Sequence, residues 1–492
     1  MYSLSPLSAA LAALILLPSF TFAAPTSIKR QDNLKFDFGS TKVRGVNTGG
    51  WFVLEPWITP SIFADQPDNV VDEYTLCQQL GHDAALSLLS NHWDTWFTES
   101  DFAAMAAAGL NFVRIPIGYW SVSPIEGDPY VQGAYDRLGT AIGWANNHGL
   151  NVLIDLHGAP GSQNGFDNSG RKGNIEWNTG DTISQTHTAL NKIRDDFAEH
   201  SNVAAIELVN EPEASTIGVD AVKQFYMDGW GNLKDSNVAV TFHDGFQGVN
   251  AWNDWGSGMW ALMEDTHHYE IFDCPSGKMS ISDHISEACS FGSQAATNNK
   301  WTIIGEFAGA MTDCAQWLNG RGIGARYDGT YNVNGNTCSA SGSCSGKYSG
   351  KVANLGEADK ENIKSFINAQ LDAFEKATGW IFWTWKTEGA PEWDMQDLLQ
   401  NGIFPNPVSS RNGKIPRQVQ SRSFTNSSPS PWPVQLDTFS SMNLSRFSPI
   451  PIYSTTSDPR TLVTTYEETA ISSMLYHVQY PCLQTPQRCY DQ

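Results

Sequence analysis

The chain has 492 residues, with 52 acidic against 30 basic side chains and a formal net charge of −22. Such a balance repels phosphate backbones and excludes a nucleic-acid partner, but suits an exported enzyme acting on a neutral polymer. Most of the 18 tryptophans and 15 tyrosines belong in a large core; the rest offer aromatic faces that stack on sugar rings.

The N-terminus carries an apolar stretch, "AALAALILLPSFTFA", that ends in small residues. It is too short and too lightly flanked for a membrane span and reads as a signal peptide over 1–23. Residues 24–30 read as a short propeptide closed by Lys29-Arg30, a dibasic processing site, so the mature chain is expected to begin near Gln31. No second apolar run approaches spanning length, which predicts a secreted protein, extracellular or in a cell wall, without membrane insertion. The eight cysteines fit an oxidising compartment. They form no CxxC pair and no Cys/His cluster with zinc spacing, so neither metal nor cofactor is expected.

Short apolar runs then alternate with amphipathic stretches. Strands are predicted at 42–47, 110–117, 151–157, 203–210, 238–245, 261–269, 301–307 and 379–386. Several are apolar without alternation, as strands covered on both faces are. Between them, "ESDFAAMAAAG" opens with acidic residues and stops at Gly109, a helix signature. Eight such repeats predict the α/β class, a single-domain (β/α)8 TIM barrel over 31–408, with no GxGxxG or Walker loop to suggest a nucleotide.

Arg114, His157, Asn210, Glu211, His267, Tyr269, Glu306 and Trp383 all fall at or near the C-terminal ends of these runs. A barrel gathers those ends on one face. Glu211 and Glu306 each close an apolar run, and two carboxylates across one cleft are what glycoside hydrolysis needs. The adjacent His267 and His268 look like a ligand pair, but neighbours on a strand point to opposite faces, so one alone is expected at the site.

The blocks "RGVNTGGWFVLEPW", "LHGAPGSQNGFDNSG", "LVNEP", "HHYEIF", "GEF" and "WTWKTEGAPEW", in this order, resemble the fungal exo-β-1,3-glucanases. Those are secreted (β/α)8 glycosidases of glycoside hydrolase family 5, and the resemblance covers roughly 31–408. It implies a retaining mechanism on β-1,3-glucan with Glu211 as acid/base and Glu306 as nucleophile. It also implies that Asn210 bonds the sugar 2-hydroxyl, that Arg114 and Tyr269 hold Glu306 ionised, and that His157 and His267 hold the sugar. Glu55 and Asp167 are implied to contact hydroxyls behind the terminal glucose, Phe166 and Phe272 to flank the entrance, and Trp383 and Trp393 to form the floor and a wall. Phe307 follows Glu306 where relatives often carry tryptophan, a change expected to alter packing alone. The alternatives are a family 5 enzyme of other linkage (β-1,6-glucanase, endo-glucanase or broad β-glucosidase) and, more remotely, a non-catalytic glucan-binding wall protein. A monomer is expected.

Residues 409–492 are rich in Ser, Pro and Thr without a sustained period and read as an irregular tail. Translated intron or shifted frame beginning near Asn412 is the preferred reading, and a wall spacer glycosylated at Asn426 and Asn443 the alternative. Cys77, Cys274, Cys289, Cys314, Cys338 and Cys344 remain in the barrel. Six cysteines allow 15 pairings, so only a bridge in the loop around Cys338 and Cys344 is predicted.

Overall fold

A computed structural model describes residues 34–347 and 350–410. The predicted leader, propeptide and nearly all of the predicted tail lie outside these residues. Eight parallel strands close into a barrel: β1 (Val43–Asn47), β2 (Phe112–Gly118), β3 (Asn151–Gly158), β4 (Val203–Glu207), β5 (Ala239–His243), β6 (Leu262–His268), β7 (Trp301–Phe307) and β10 (Gly379–Phe382). A short antiparallel hairpin, β8 (Asn332–Val333) with β9 (Asn336–Thr337), sits in the long β7–β10 connection. The order around the barrel is β1-β10-β7-β6-β5-β4-β3-β2, the predicted (β/α)8 architecture. No helix among the described residues is long and apolar enough to cross a membrane.

Two strands end earlier than predicted. The run after Val203 stays buried through Val209, but the ladder stops at Glu207 and the chain reaches φ +44° at Glu211. The run after Gly379 leaves the ladder at Phe382. Apolar composition continued there because these residues line a buried rim, which composition alone does not separate from a strand. The run 301–307 matches β7 at both ends, and the other strand bounds match or differ by one or two residues.

The barrel interior is layered. At the strand starts Phe112, Leu153, Ala205, Ala239, Met263, Ile303 and Ile381 form an apolar floor, plugged by Phe36 and Phe38. One step further, Asn47, Arg114, Asp155, Glu207, Thr241 and Asp265 make a fully buried polar layer. Above it stand His157, His243, His267 and Glu306. One irregularity sets this last arrangement. Between Thr266/Ile304 and His267/Glu306 the β6–β7 register shifts by one residue. Side chains alternate with period two, so the extra residue, Gly305, turns Glu306 onto the inner face. A Cβ at Gly305 would lie 2.1 Å from the Asp265 carboxylate, so this close approach requires glycine.

Outside the barrel, amphipathic helices bury their apolar stripes against the strands. The predicted helix over "ESDFAAMAA" runs Glu99–Ala107, with a Thr98/Asp101 capping box and Gly109 at φ +87° just beyond it. Disulfides Cys274–Cys338 and Cys314–Cys344 clamp the β7–β10 connection, so the loop predicted to hold a bridge holds two. Cys77 is free and buried.

Candidate active site

Arg114 is the hub beneath the site. Wholly buried on β2, it donates from Nε to Glu207 (2.8 Å) and from Nη1 to Asn47 (3.2 Å) and Glu306 (2.9 Å). Its Nη2 reaches Asn210 Oδ1 at 2.8 Å and Asp155 at 3.1 Å, and Asp265 lies 3.8 Å from Nε. One guanidinium therefore faces four carboxylates in a dry interior, where only a planar five-donor fork satisfies so many partners.

Glu306 is buried on β7. Its Oε1 accepts from Arg114 and its Oε2 from the Tyr269 hydroxyl at 3.0 Å, while His267 Nδ1 is 3.4 Å away. Burial raises its pKa above 4.5; Glu211 pushes the same way, against the cations His267 and Arg114. Glu211, just past β4, accepts from His267 Nδ1 at 2.8 Å and from Asn168 Nδ2 at 3.0 Å. Burial pushes its carboxyl up, yet the His267 bond and charge, with His243 and His157 nearby, outweigh burial and hold it down at about 2. His267 pays a desolvation penalty but sits among Glu306, Asp265 and Glu211, which raise its pKa well above 6.5. The resting proton of this trio thus resides on the imidazole, between the two carboxylates.

The other predicted residues converge on the same face. His157 bonds Asp155 through Nδ1 at 2.6 Å and stacks on Trp383 with ring centres 5.5 Å apart. Its Nε2 and the Asn210 Nδ2 are buried polar atoms without a hydrogen-bond partner among the described residues. Glu55 accepts from Trp57 Nε1 at 2.9 Å, leaving Oε1 unpartnered, and burial followed by the nearby Asp167 charge raises its pKa well above 4.5. Asp167, half-buried, is raised to about 6 by burial, countered by Lys172. Trp393 packs on Trp57 at 4.9 Å and on Tyr269 at 5.3 Å. Phe272 meets Tyr269 edge-on at 5.6 Å, and both Phe272 and Phe166 are exposed (43% and 45%), an unusual state for such large apolar rings. Of the two adjacent histidines, His267 faces the site and His268 faces away, against Phe291 at 4.2 Å.

Several residues escaped the sequence reading. Asp155 and Asp265 sit inside strands and Glu207 is the last ladder residue of β4; an acid within the runs "LIDLH" and "AIELV", or the Glu264-Asp265 pair of "MEDTH", was the available signal. Asn168 orients Glu211 from the short 3-10 turn Asp167–Ser169. Phe246, 45% exposed at φ +59°, stands beside His243 at 5.4 Å.

Glu211, His243 and His267 bring one ligand-type atom each within 4.8 Å of one another, the single such group among the described residues. Its chemistry does not suit a cation. The Gly245 N–H donates to His243 Nδ1 at 3.0 Å, which places the ring proton on Nε2 and makes that atom a donor, not a ligand. His267 Nδ1 is already engaged by the Glu211 carboxylate at 2.8 Å.

The family model for "Cellulase (glycosyl hydrolase family 5)" matches residues 77–319. A glucan 1,3-beta-glucosidase of Blumeria graminis is 49% identical over 417 residues, covering 83% of this chain and 96% of the relative. A probable glucan 1,3-beta-glucosidase A of Aspergillus niger is 49% identical, covering 82% and 96%. Among solved structures, a rutinosidase from Aspergillus niger aligns with TM-score 0.59 at 19% identity, over 75% of this chain and 99% of that one, a likeness of fold. Given nearly half its residues shared with such relatives across most of their length, the chain belongs to glycosyl hydrolase family 5.

Proposed function

We propose that this protein is a retaining, exo-acting β-1,3-glucan hydrolase that releases β-glucose from non-reducing ends. The relatives named as glucan 1,3-beta-glucosidases support the substrate. One observation carries the stereochemistry. A single nitrogen, His267 Nδ1, lies 2.8 Å from Glu211 and 3.4 Å from Glu306. Those two contacts cap the separation of the nearest carboxylate oxygens below the roughly 6.5–9.5 Å between the carboxyls of inverting enzymes, which supports the closer-set pair of a retaining one.

In this reading Glu306 attacks the anomeric carbon as the glycosidic C–O bond breaks. Arg114 and Tyr269 orient its carboxylate and resist its protonation. Glu211 gives the leaving oxygen a proton that the resting pair keeps on His267, and ends the step as a carboxylate. Water then attacks the glucosyl ester, Glu211 takes its proton, and β-glucose leaves while Glu306 returns as carboxylate. A second sugar in place of water gives transglycosylation, for which the exposed Phe166 and Phe272 offer stacking faces. Asn210, through its free amide nitrogen, is assigned to the 2-hydroxyl. His157, His267, Glu55, Asp167, Trp383 and Trp393 are assigned to the terminal glucose. The two disulfides and the leader read from the sequence support an extracellular or cell-wall location.

Trapping with a 2-deoxy-2-fluoro-β-glucosyl fluoride tests the assignment. The expected result is one added fluoroglucosyl mass on the peptide bearing Glu306; a label on Glu211, or none with turnover intact, contradicts it.

A further inference from the structure

His267 and Tyr269 reach the site from the end of β6 and just beyond it. Their sequence neighbours His268 and Glu270 point the other way, into the layer between barrel and helices. There His268, Glu270 and His284 are all buried. Glu270 Oε1 lies 2.8 Å from His268 Nε2, and Oε2 lies 2.7 Å from Nδ1 of His284, on the helix Ile281–Ala295. Phe291 of that helix stacks on His268, Phe374 meets the same ring edge-on at 5.6 Å, and Phe366 covers His284 at 5.4 Å. Exposed Asp283 is a further charged group beside His284, and exposed Glu287 follows three residues on in the same helix.

A buried carboxylate is costly unless both oxygens are bonded, and a fully bonded buried network is rigid. Glu270 is bonded on both. The trio therefore pins the chain immediately after Tyr269 to the outer helix, and the Tyr269 hydroxyl is one of two direct donors on Glu306. We propose that Glu270, clasped by His268 and His284, is a positioning residue that holds the Tyr269 hydroxyl on Glu306. The proposal rests on the reading of Glu306 as nucleophile.

The clasp has a kinetic signature that mere stabilisation lacks. Glu306 is faced by the donors Arg114 and Tyr269, by the His267 ring at 3.4 Å and by Glu211 as a like charge. Loss of the phenol donor makes Glu306 easier to protonate, so the acid limb of the kcat/KM–pH profile moves to higher pH. Glu270→Leu is expected to lower kcat/KM about tenfold through misplacement of the donor and to raise the acid limb. Tyr269→Phe should do the same, and the double variant should be scarcely worse than either, because both act through one bond. Glu270→Gln should recover most activity: its amide oxygen accepts from one histidine and its nitrogen donates to the other in the alternate tautomer. If Glu270→Leu does not fold, His284→Phe removes one bond at similar volume and should shift the limb in the same direction. A lower Tm with an unmoved acid limb, or effects that multiply in the double variant, overturns the clasp. Fluoroglucosyl labelling away from Glu306 instead overturns the reading beneath it.

Discussion

Arg114 Nη1 donates to Glu306 Oε1 over 2.9 Å, joining β2 to β7 through the middle of the barrel. The same side chain meets Asp155 and Glu207, with Asp265 at 3.8 Å, so it neutralises the polar layer as well as orienting the proposed nucleophile. Arg114→Met leaves those carboxylates buried without their cation. Unfolding in urea should show a loss of about 3–5 kcal/mol, the usual cost of breaking a buried ion pair from one side. Arg114→Lys should rescue little, because an ammonium cannot span the same forked set. A loss under about 1 kcal/mol, the size of a surface pair, would contradict this reading.

The proton inventory predicts the pH profile. Activity requires Glu306 ionised, and its pKa is raised above 4.5, so kcat/KM should fall on acidification at a limb above pH 4.5. Activity also requires the proton held by the Glu211–His267 pair. His267 is raised well above 6.5, so the alkaline limb should lie above pH 6.5. The two groups share one proton, and the limb belongs to the pair. His267→Gln should therefore move the alkaline limb; an unmoved limb would place the proton elsewhere.

Glu211→Ala removes the proton donor but spares the attacking group. Hydrolysis of laminari-oligosaccharides should drop about 10²–10⁴-fold, the range for general acid catalysis. An aryl glucoside whose leaving group needs no proton should still form the covalent intermediate. Added azide should then restore turnover and yield β-glucosyl azide, read by chromatography. An α-azide product would reverse the assigned stereochemistry.

The exposed rings should govern acceptor handling. Phe272→Ala or Phe166→Ala is expected to raise KM for oligosaccharides about 2–10-fold, the worth of one aromatic contact, and to lower the ratio of transfer to hydrolysis. Small aryl glucosides should be nearly indifferent. Equal losses on both substrate types would return these residues to a structural role.

Buried acids tilt the stability profile, Glu73 and Glu264 among them. Burial raises Glu73 to about 7 and Glu264 to about 8, both from 4.5. The folded chain thus keeps protons that the unfolded chain releases above pH 4.5. Stability should fall as pH rises from about 4.5 through about 8, and Glu264→Gln should flatten that slope. A Tm that rises over this interval in both proteins would contradict the assignment.

The strands were legible because barrel strands covered on both faces are apolar runs, and the strand-end polar residues were legible because the barrel gathers them. The polar layer beneath was not. Asp155, Glu207 and Asp265 read as interruptions of strands until Arg114 is seen among them. The inward turn of Glu306 depends on a one-residue register shift opposite Thr266 and His267, and register is a pairing property that one strand's sequence does not contain. Disulfide pairing was equally closed to spacing, since Cys274 finds Cys338 across 64 residues.

The most direct test of the central claim is time-resolved proton NMR of the barrel, with and without residues 409–492, digesting linear β-1,3-gluco-oligosaccharides. Early β-glucose as the main product, ahead of mutarotation, is the predicted result and establishes linkage, exo action and retention together. Early α-glucose, or release of larger fragments without glucose, would contradict the account.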